Sequence, residues 1–514
     1  MFVAGQKDMQ QMDQYTIEKL GLPGIVLMEN AGAKVAEEVK AAAKGINSKI
    51  VVLAGSGNNG GDGFVIARRL FDLGYNPLLY LVTDPKRING DAKIHYDAYL
   101  HRGLPILYFS EIEELRVEIE KADIIVDAIL GTGVSGPVRE PVSKVISVVN
   151  EIAIDKLVIS VDIPSGVSSD TGKVEGAAIK ADKTITFVFP KNGFFLQDGP
   201  SYIGEWKAVD ISVPPSIITD LKLKLPKLMT EALAKEFLPY RPAHGHKGTF
   251  GHVLVLGGSR TFVGAPIFTA KAALNAGAGL VTLGVPESIY PLAATQSPEL
   301  LFLPLFEEEG HFALNAIDQI KPSLNKMKTI AVGPGISRFT GGEAWMRSLF
   351  SSLNGQPVVV DADGLYLLRN SLDIVRQYKG IVIFTPHPGE MAVLLNLSVN
   401  EVEENRIEIA KNFAKVNNIY LLLKGHRAII ASPGGDIYIN PLGHDALGKG
   451  GSGDVLTGIV SAFLAQGASP IQALVSASYL HAKTGEEKAK TLSHYGVNPP
   501  DLIDGVREEL KKLI

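Results

Sequence analysis

Short apolar runs alternate with helical patterns through the first half of the chain. After helical patterns at residues 8–20 and 25–44, apolar runs predict strands at residues 49–54, 77–82, 123–128, 157–162 and 184–189. The stretches between them predict helices at residues 64–73, 92–101, 112–121 and 142–151. Apolar strands that alternate with helices are typical of a parallel sheet covered by helices on both faces. We therefore predict a three-layer α/β/α domain.

A second series of strand-like runs occupies the other half of the chain. These runs predict strands at residues 252–256, 280–285, 329–332, 357–361, 381–384, 420–423 and 428–431. Helical segments, such as residues 265–276, lie between most of them. We interpret this half as a second α/β domain, close to the upper size that a single core supports.

A stretch with little periodicity separates the two halves. Pro214, Pro215 and Pro226 interrupt any continuous helix or strand in it, so we place the domain boundary there. The predicted division is a first domain at residues 1–214, a linker at residues 215–227 and a second domain at residues 228–514.

Polar residues cluster where three predicted strands of the first half end. The clusters are Asn58 with Asn59, then Asp127 with Gly131, Thr132 and Gly133, and finally Asp162 with Ser165. Ligands in open α/β sheets bind beyond the carboxyl ends of the strands. We therefore predict a ligand site at this edge of the first sheet.

The glycine-rich stretch Gly57–Gly63 is interpreted as a turn before a helix. Its glycines suit a pyrophosphate at a helix N-terminus, although the stretch lacks the usual setting of a dinucleotide fingerprint. Asn59 and Asp127 offer hard oxygen ligands that could converge on a cation. The alternative is that Asn58 and Asp62 only form turns and caps.

Asp162 lies at the end of a predicted strand, next to a turn fixed by Pro164. An aspartate in that position is a candidate general acid or base. It therefore favours a functional interpretation of this edge of the sheet.

In the second half, four glycines fall within the six residues 448–453, immediately before the apolar helical pattern at residues 455–466. Unpaired N–H groups and the dipole at a helix N-terminus favour an anion, and glycines let the backbone approach a phosphate. Asp454 stands where a bound phosphate would repel a carboxylate, which suits a catalytic base better than a structural residue. The alternative is a flexible turn with Asp454 as an N-cap.

Three further loops of the second half follow predicted strands. His387 lies between two prolines and could donate to a substrate, whereas Gly333-Pro334-Gly335 allows a bulky group to approach closely. Lys424–Arg427 places cations beside a glycine, as a nucleotide phosphate site requires. The alternatives are a surface histidine and a solvated basic turn.

Composition excludes several classes of function. The chain has 514 residues, 46% of them hydrophobic, and a net charge of −5, so nothing indicates a nucleic-acid partner. The absence of cysteine excludes disulfides, thiolate metal sites and cysteine nucleophiles. We find no signal peptide and no apolar run of 18 residues, and we expect a cytoplasmic protein that does not enter a membrane.

The ordered set of motifs resembles a known family. The stretches 57–63 (GNNGGDG), 126–131 (VDAILG) and 161–166 (VDIPSG) are similar to the NAD(P)H-hydrate epimerase domain. The stretches that are similar to the NAD(P)H-hydrate dehydratase domain are 246–251 (HKGTFG), 257–259 (GGS), 332–336 (VGPGI), 385–391 (TPHPGEM), 424–428 (KGHRA) and 450–454 (GGSGD). Together they resemble the bifunctional NAD(P)H-hydrate repair enzymes of bacteria and archaea, with a Rossmann-like α/β/α domain followed by a ribokinase-like α/β domain.

For the first domain, the resemblance implies an epimerase that interconverts the R and S hydrates of NADH and NADPH, which form at C6 of the nicotinamide ring. A potassium ion would be held by Asn59, Asp127 and Ser165. The hydrate would contact Asn58, Asn59, Gly60, Gly61, Asp62, Gly131, Thr132, Gly133, Val134, Ser135, Gly136, Pro137 and Asp162. Asp162 would also be catalytic.

For the second domain, the resemblance implies a dehydratase that restores the S hydrate with ADP or ATP, bacterial members typically using ADP. Gly335, His387 and Asp454 would face the hydrate, with Asp454 catalytic. ADP, carrying Mg²⁺, would be held by Lys424, Gly425, His426, Arg427, Ala428, Asp445, Ala446, Leu447, Gly448, Lys449, Gly450, Gly451, Ser452 and Gly453. The rival interpretations are a ribokinase-type small-molecule kinase fused to a nucleotide-binding domain and a non-catalytic nucleotide sensor. We also expect a homo-oligomer whose copy number the sequence does not fix.

Overall fold

The computed structural model describes residues 1–133 and 136–514. The chain forms two compact units, Met1–Leu225 and Pro226–Ile514. The boundary between them falls inside the predicted linker. The prolines suggested that the linker is irregular, but the structure differs. The linker contains a helix at Ile217–Asp220, whose Ile217 and Ile218 are buried in the core of the N-terminal unit.

The helices and strands of the N-terminal unit are α1 (Gln6–Glu18), α2 (Gly24–Ala42), β1 (Ile50–Ala54), α3 (Asn58–Asp72), β2 (Leu78–Leu81), α4 (Gly90–His101), β3 (Ile106–Tyr108), α5 (Ile112–Lys121), β4 (Ile124–Ala128), α6 (Val142–Ile152), β5 (Leu157–Val161), β6 (Lys183–Phe187), β7 (Glu205–Val209) and α7 (Ile217–Asp220). The seven strands form one sheet in the order β3-β2-β1-β4-β5-β6-β7, and every pairing is parallel. Apolar side chains of the helices cover both faces, in two separate clusters. The predicted α/β/α class is therefore confirmed.

The stretch Gly57–Gly63 differs from the predicted turn, because α3 already begins at Asn58. Its glycines serve close packing instead. A Cβ atom on Gly60 would lie 1.9 Å from the Gly55 carbonyl oxygen, and one on Gly61 would lie 2.5 Å from the sulfur of Met28. The absence of side chains thus lets the first turns of α3 lie directly against the end of β1.

The C-terminal unit contains β8 (Lys227–Leu228), α8 (Glu231–Glu236), β9 (His252–Leu256), α9 (Gly264–Asn275), β10 (Leu280–Pro286), α10 (Tyr290–Gln296), β11 (Leu301–Leu305), β12 (Glu307–Glu308), β13 (His311–Phe312), α11 (Ala316–Leu324), β14 (Thr329–Val332), α12 (Gly342–Ser352), β15 (Val358–Val360), α13 (Asp363–Leu368), α14 (Leu372–Gln377), β16 (Val382–Phe384), α15 (Pro388–Leu395), α16 (Val399–Glu404), α17 (Arg406–Asn417), β17 (Tyr420–Leu423), β18 (Ile429–Ala431), β19 (Ile437–Ile439), α18 (Ser452–Ala465), α19 (Pro470–Gly496) and α20 (Pro499–Leu513).

Ten strands of this unit form one sheet, in the order β11-β10-β9-β14-β15-β16-β17-β18-β19-β8. The pairings of β18 with β17 and β19 are antiparallel, and the other pairings are parallel. The buried helix α18 packs against α9 and against the strands β9 and β14. This packing fixes the glycine-rich loop before α18 at the carboxyl ends of the central strands. Within the described part of the chain, no helix is long and apolar enough to cross a bilayer.

Candidate active sites

The order of the N-terminal sheet reverses between β1 and β4, which lie side by side. Open α/β sheets bind ligands at such a switch point. The segments that follow the two strands meet there, because the Asn59 side-chain amide donates to the Leu130 carbonyl at 2.9 Å. A Cβ atom on Gly131 would lie 3.3 Å from that of Asn59. The structure therefore brings the first two predicted clusters together.

The third predicted cluster, which contains Ser165, meets the second through the Asp127 carboxylate. It is 0% exposed and accepts hydrogen bonds from the Ser160 hydroxyl at 2.8 Å and from the Ser165 hydroxyl at 2.5 Å and backbone N–H at 2.8 Å. Burial raises the pKa of Asp127, against the effect of these hydrogen bonds. The Ser165 hydroxyl also lies 3.2 Å from the Leu130 carbonyl.

These oxygen atoms fit a monovalent cation. Carboxylate, hydroxyl, amide and carbonyl oxygens are hard ligands, and carbonyl oxygens replace the hydration shell of K⁺ in selective sites. The four hydrogen bonds to Asp127 come from neutral groups, so a cation would supply a counter-charge to a fully buried carboxylate. The residue types of Asn59, Asp127 and Ser165 thus fit a monovalent cation, and potassium at this site stays a prediction.

Asp162 follows β5 in the left-handed backbone region, with φ of 64°. Its carboxylate accepts hydrogen bonds from the Phe187 N–H at 3.1 Å and the Lys191 ammonium at 2.6 Å. Lys191 is only 1% exposed, and its remaining hydrogen bonds go to the Thr186 hydroxyl and two carbonyl oxygens. The structure therefore gives Asp162 a buried cationic partner that the sequence analysis missed.

Two further carboxyl groups belong to the same cluster. Asp62 on α3 is 7% exposed, and burial, with the charges of Asp162 and Asp13, raises its pKa well above the usual range. Asp13 on α1 has its pKa raised to about 6 by burial and by Asp162, whereas Lys191 opposes the rise. Asp13 is the second residue of this cluster that the sequence analysis missed.

The other described residues predicted to contact the hydrate belong to the segments that follow β1 and β4 in the chain. Gly60 and Gly61 are buried within the first turn of α3, and Asn58, Gly133, Gly136 and Pro137 are exposed. The Thr132 carbonyl accepts a hydrogen bond from the Ser169 hydroxyl at 3.2 Å. Val134 and Ser135 lie outside the described residues.

The C-terminal unit contains a cavity of about 680 Å³ beside the glycine-rich loop. Most residues predicted to hold nucleotide and hydrate line it, namely His387, Lys424, Gly425, His426, Ala428, Asp445, Leu447, Gly448, Lys449, Gly450, Gly451, Ser452, Gly453 and Asp454. Three predicted residues are not among the described residues that line the cavity, namely Gly335, Arg427 and Ala446. Ala446 is buried below the loop, and Gly335 lies against the backbone of Phe262.

The glycine-rich loop runs directly into α18. Gly451 is its N-cap in the left-handed region, with φ of 97°, a conformation that favours glycine. Asp454 is not the N-cap but the third residue of the first turn. Burial raises the pKa of Asp454 to about 7; Asp361 and Glu390 add to the rise, and Lys424 opposes it.

Lys424 and Asp361 form an ion pair beneath the loop. The Lys424 ammonium donates to Asp361 at 2.6 Å, and the Thr457 hydroxyl donates to the other oxygen of Asp361 at 2.6 Å. A Cβ atom on Gly453 would lie 2.9 Å from the Lys424 nitrogen, so the ammonium lies directly against the loop. Although burial alone would lower it, the pKa of Lys424 is raised by Asp361 and Glu390.

His387 caps α15 rather than projecting freely from its loop. Its Nδ1 accepts hydrogen bonds from the N–H groups of Gly389 at 3.0 Å and Glu390 at 3.2 Å. Nδ1 is therefore the acceptor of a neutral ring, which leaves the proton on Nε2. Burial, followed by the charge of Lys424, lowers the pKa of His387 and favours this neutral form. His387 lines the cavity, and its Nε2, which carries the proton, lies 3.5 Å from the Glu390 carboxylate.

Sequence reasoning missed Asp361 and Glu390 in this site. Asp361 ends a predicted strand, which is the same signal that selected Asp127 and Asp162. Glu390 lies in the motif that contains His387, and burial raises its pKa to about 7, with Lys424 opposing and Asp361 adding. Both line the cavity with Asp454.

Comparisons with known proteins cover both sites. The family model described as NAD(P)H-hydrate dehydratase matches residues 253–507, and the one described as YjeF-related protein N-terminus matches residues 24–193. The chain is 36% identical over 519 residues to the bifunctional NAD(P)H-hydrate repair enzyme Nnr of Moorella thermoacetica, covering 100% of this chain and 97% of that protein. The chain belongs to the family of bifunctional NAD(P)H-hydrate repair enzymes.

A second relative aligns along the full chain, and a solved structure aligns with just over half of it. The bifunctional NAD(P)H-hydrate repair enzyme Nnr of Thermofilum pendens is 34% identical, covering 100% of this chain and 97% of that protein. A solved structure of the ADP/ATP-dependent NAD(P)H-hydrate dehydratase from Bacillus subtilis, co-crystallised with ATP and Mg²⁺, is 29% identical with a TM-score of 0.49, covering 56% of this chain and 99% of that one.

Proposed function

We propose that this enzyme repairs hydrated NADH and NADPH in two steps, each carried by one unit. The N-terminal unit interconverts the R and S hydrates, and the C-terminal unit dehydrates the S hydrate with ADP, which gives AMP and phosphate. Membership of the repair-enzyme family supports both activities. The observation that carries the second step is that Asp454, Lys424 and the glycine-rich loop line one cavity.

The chemistry of dehydration explains this arrangement. Hydroxide is a poor leaving group, so transfer of the terminal phosphoryl group of ADP to the C6 oxygen makes it a good one. Asp454 takes the proton of the C6 hydroxyl, and a base whose pKa is near 7 suits this task at neutral pH. Loop N–H groups and the Lys424 ammonium stabilise the charge on the phosphoryl group. Loss of phosphate from C6 and of a proton from C5 to solvent then restores the C5=C6 double bond of the dihydronicotinamide ring.

Two ions complete the proposal. Mg²⁺ bound with the nucleotide would neutralise phosphate charge in the transfer. Potassium held by Asn59, Asp127 and Ser165 would fix the loops after β1, β4 and β5 around the hydrate. The homo-oligomer stays a prediction, which a measurement of the protein's mass in solution can test. The cytoplasmic location also stays a prediction.

The proposal is tested by supplying mixed R and S hydrates with and without ADP and following the return of dihydronicotinamide absorbance. We expect one AMP and one phosphate for each NADH recovered, with no accumulating phosphoester. A ribokinase-type kinase would instead phosphorylate a stable alcohol and release it. Rapid phosphorylation of a sugar or vitamin alcohol without recovery of NADH would contradict the repair function.

Replacing the buried Asp127 carboxylate should weaken the binding of potassium at the proposed cation site. Asp127→Ala removes a proposed ligand and is expected to lower potassium affinity and to slow epimerisation by more than the roughly 10–100-fold that loss of a residue supporting a ligand costs. Ser160→Ala keeps the carboxylate and should have a smaller effect. Crystals soaked in a heavier alkali ion should show an anomalous peak beside Asp127, and no peak there would count against the site.

A further inference from the structure

Two histidines and one aspartate meet at the rim of the cavity in the C-terminal unit. His444 and Asp445 follow β19 and line the cavity, whereas His494 lies near the end of α19. The Nδ1 atoms of His444 and His494 lie 2.8 and 2.9 Å from the same oxygen of Asp445, Oδ1. Within the described part of the chain, these three side chains are the one such group whose ligand atoms all lie within 4.8 Å of one another.

Hydrogen bonds alone do not explain why two ring nitrogens converge on one carboxylate oxygen. His444 Nδ1 also accepts a hydrogen bond from the Ala446 N–H at 3.1 Å, and a nitrogen that accepts carries no proton. Its lone pair then faces an anionic oxygen at 2.8 Å, which is repulsive unless a cation lies beside both atoms. A proton on His494 Nδ1 would satisfy only the other contact of Asp445.

The backbone brings His494 to this position through a break in α19. Ser493 has φ of 66° and ψ of 163°, a conformation that is essentially confined to glycine. Just beyond it, the Lys449 ammonium donates to the Tyr495 carbonyl at 2.5 Å, which attaches the end of α19 to the glycine-rich loop. The three side chains are therefore brought together by two segments that are fastened to each other, although 49 residues separate Asp445 from His494.

We propose that His444, Asp445 and His494 bind a divalent first-row transition-metal ion in octahedral coordination, each through one atom. Two histidines and one carboxylate with open positions are an established ligand set for such ions. Mg²⁺ prefers oxygen ligands, so this ion is different from the Mg²⁺ proposed to accompany the nucleotide. Neither of the two proposed repair steps requires this site, and the inference therefore does not rest on them.

The distances between the ligand atoms favour an octahedron. Two atoms that each lie about 2.1 Å from an ion are about 3.0 Å apart at 90° and about 3.4 Å apart at the tetrahedral angle. The 2.8 and 2.9 Å from Asp445 Oδ1 to the two nitrogens match adjacent corners of an octahedron. The ion would replace one neutral hydrogen bond, from the Ala446 N–H, by a bond to a doubly charged partner. Asp445 and His494 are 72% and 60% exposed, so water can fill the remaining positions.

The test uses full-length enzyme without an affinity tag, stripped of metal with a chelator and kept in KCl without nucleotide. Calorimetric titration with Ni²⁺ should show one ion bound per chain, which an excess of Mg²⁺ should not displace. His494→Arg keeps a cation beside Asp445 but has no lone pair for a metal. It should lower the Ni²⁺ affinity by at least roughly 100-fold, because loss of a ligand costs more than loss of a residue that supports one. His101→Ala removes an exposed histidine of the N-terminal unit and should leave the affinity unchanged.

Thermal unfolding distinguishes a metal ligand from a residue that only forms an ion pair. An ion that binds the folded protein stabilises it, so the melting temperature of the unmodified enzyme should rise with Ni²⁺ concentration. The melting temperature of His494→Arg should not rise. Without Ni²⁺ the two proteins should melt alike, because an exposed ion pair contributes little and arginine preserves it. A lower melting temperature of the variant without Ni²⁺, and no effect of Ni²⁺ on either protein, would show a structural role only and overturn the inference.

Spectroscopy and crystallography test the coordination and the position of the ion. Co²⁺ bound in place of Ni²⁺ should give the weak visible bands of an octahedral ion, and intense tetrahedral bands would overturn the assigned geometry. Crystals soaked in Ni²⁺ should show an anomalous peak between His444, Asp445 and His494. Ni²⁺ binding that is unchanged in His494→Arg would mean an adventitious ion only, held by other surface histidines, and would overturn the site.

Discussion

Asp454→Asn should lower the rate of ADP-dependent dehydration by roughly 10²–10⁴-fold, the usual contribution of a general base. Asparagine keeps the size of the side chain in the first turn of α18 but cannot accept the proton of the C6 hydroxyl. The position is suited to a base because burial, with Asp361 and Glu390, raises the pKa of Asp454 to about 7. Dehydration of purified S hydrate with ADP measures the effect.

The pH dependence of the same variant gives a second readout. Only the ionised form of Asp454 can accept a proton, so the rate of the unmodified enzyme should rise as pH rises through about 7. Asp454→Asn should remove this rise. Asp504→Asn, at an exposed position of the same unit, makes the same chemical change and should leave both rate and profile unchanged.

The two proposed steps should separate by single substitutions. Asp454→Asn should leave interconversion of the R and S hydrates intact, because the acid–base groups of that step lie in the other unit. Asp162→Asn should do the reverse, so that the S hydrate is still repaired and the R hydrate waits for its slow spontaneous interconversion. Loss of interconversion in folded Asp454→Asn protein would mean that the sites are not independent.

The sequence predicted those parts of the two candidate sites that are formed by residues adjacent in the chain. Glycines followed by an apolar helix indicated the loop before α18, because both the turn and the buried helix leave a local signal. Asp127 and Asp162 were selected as candidate site residues because parallel strands bring their carboxyl ends to one edge. Once the positions of the strands along the chain are predicted correctly, these features can be located.

The remaining residues could not be predicted because their partners are distant in the chain. Lys191 donates to Asp162, which lies 29 residues earlier in the chain, and Ala4 pairs with Lys191 from the N-terminal segment. The glycines of residues 57–63 suggested a turn, but close packing against β1 makes the same composition helical. Strands β3 and β7 at the edges of the first sheet lack the continuous burial that made the other strands recognisable.

Lys424→Met should affect both stability and catalysis in the C-terminal unit. Asp361 is 1% exposed and Lys424 18% exposed, so the substitution leaves a buried carboxylate that keeps only the Thr457 hydroxyl as a side-chain partner. Removing one partner of a buried ion pair costs about 3–5 kcal/mol in the free energy of unfolding, and partial exposure of Lys424 favours the lower end. Lys321→Met, which breaks an exposed pair with Asp318, should cost at most about 1 kcal/mol.

The catalytic consequence of Lys424→Met follows from charge. Lys424 holds down the pKa of Asp454, so its removal should raise that pKa above about 7 and move the rise in dehydration rate to higher pH. Adding Asp361→Asn to Lys424→Met removes the uncompensated carboxylate, and we expect it to recover most of the stability. It should not recover the rate at neutral pH, because the ammonium against the glycine-rich loop is still absent. Thermal unfolding and pH profiles of the single and double variants measure the two effects separately, and recovery of both together would show that Lys424 acts only on folding.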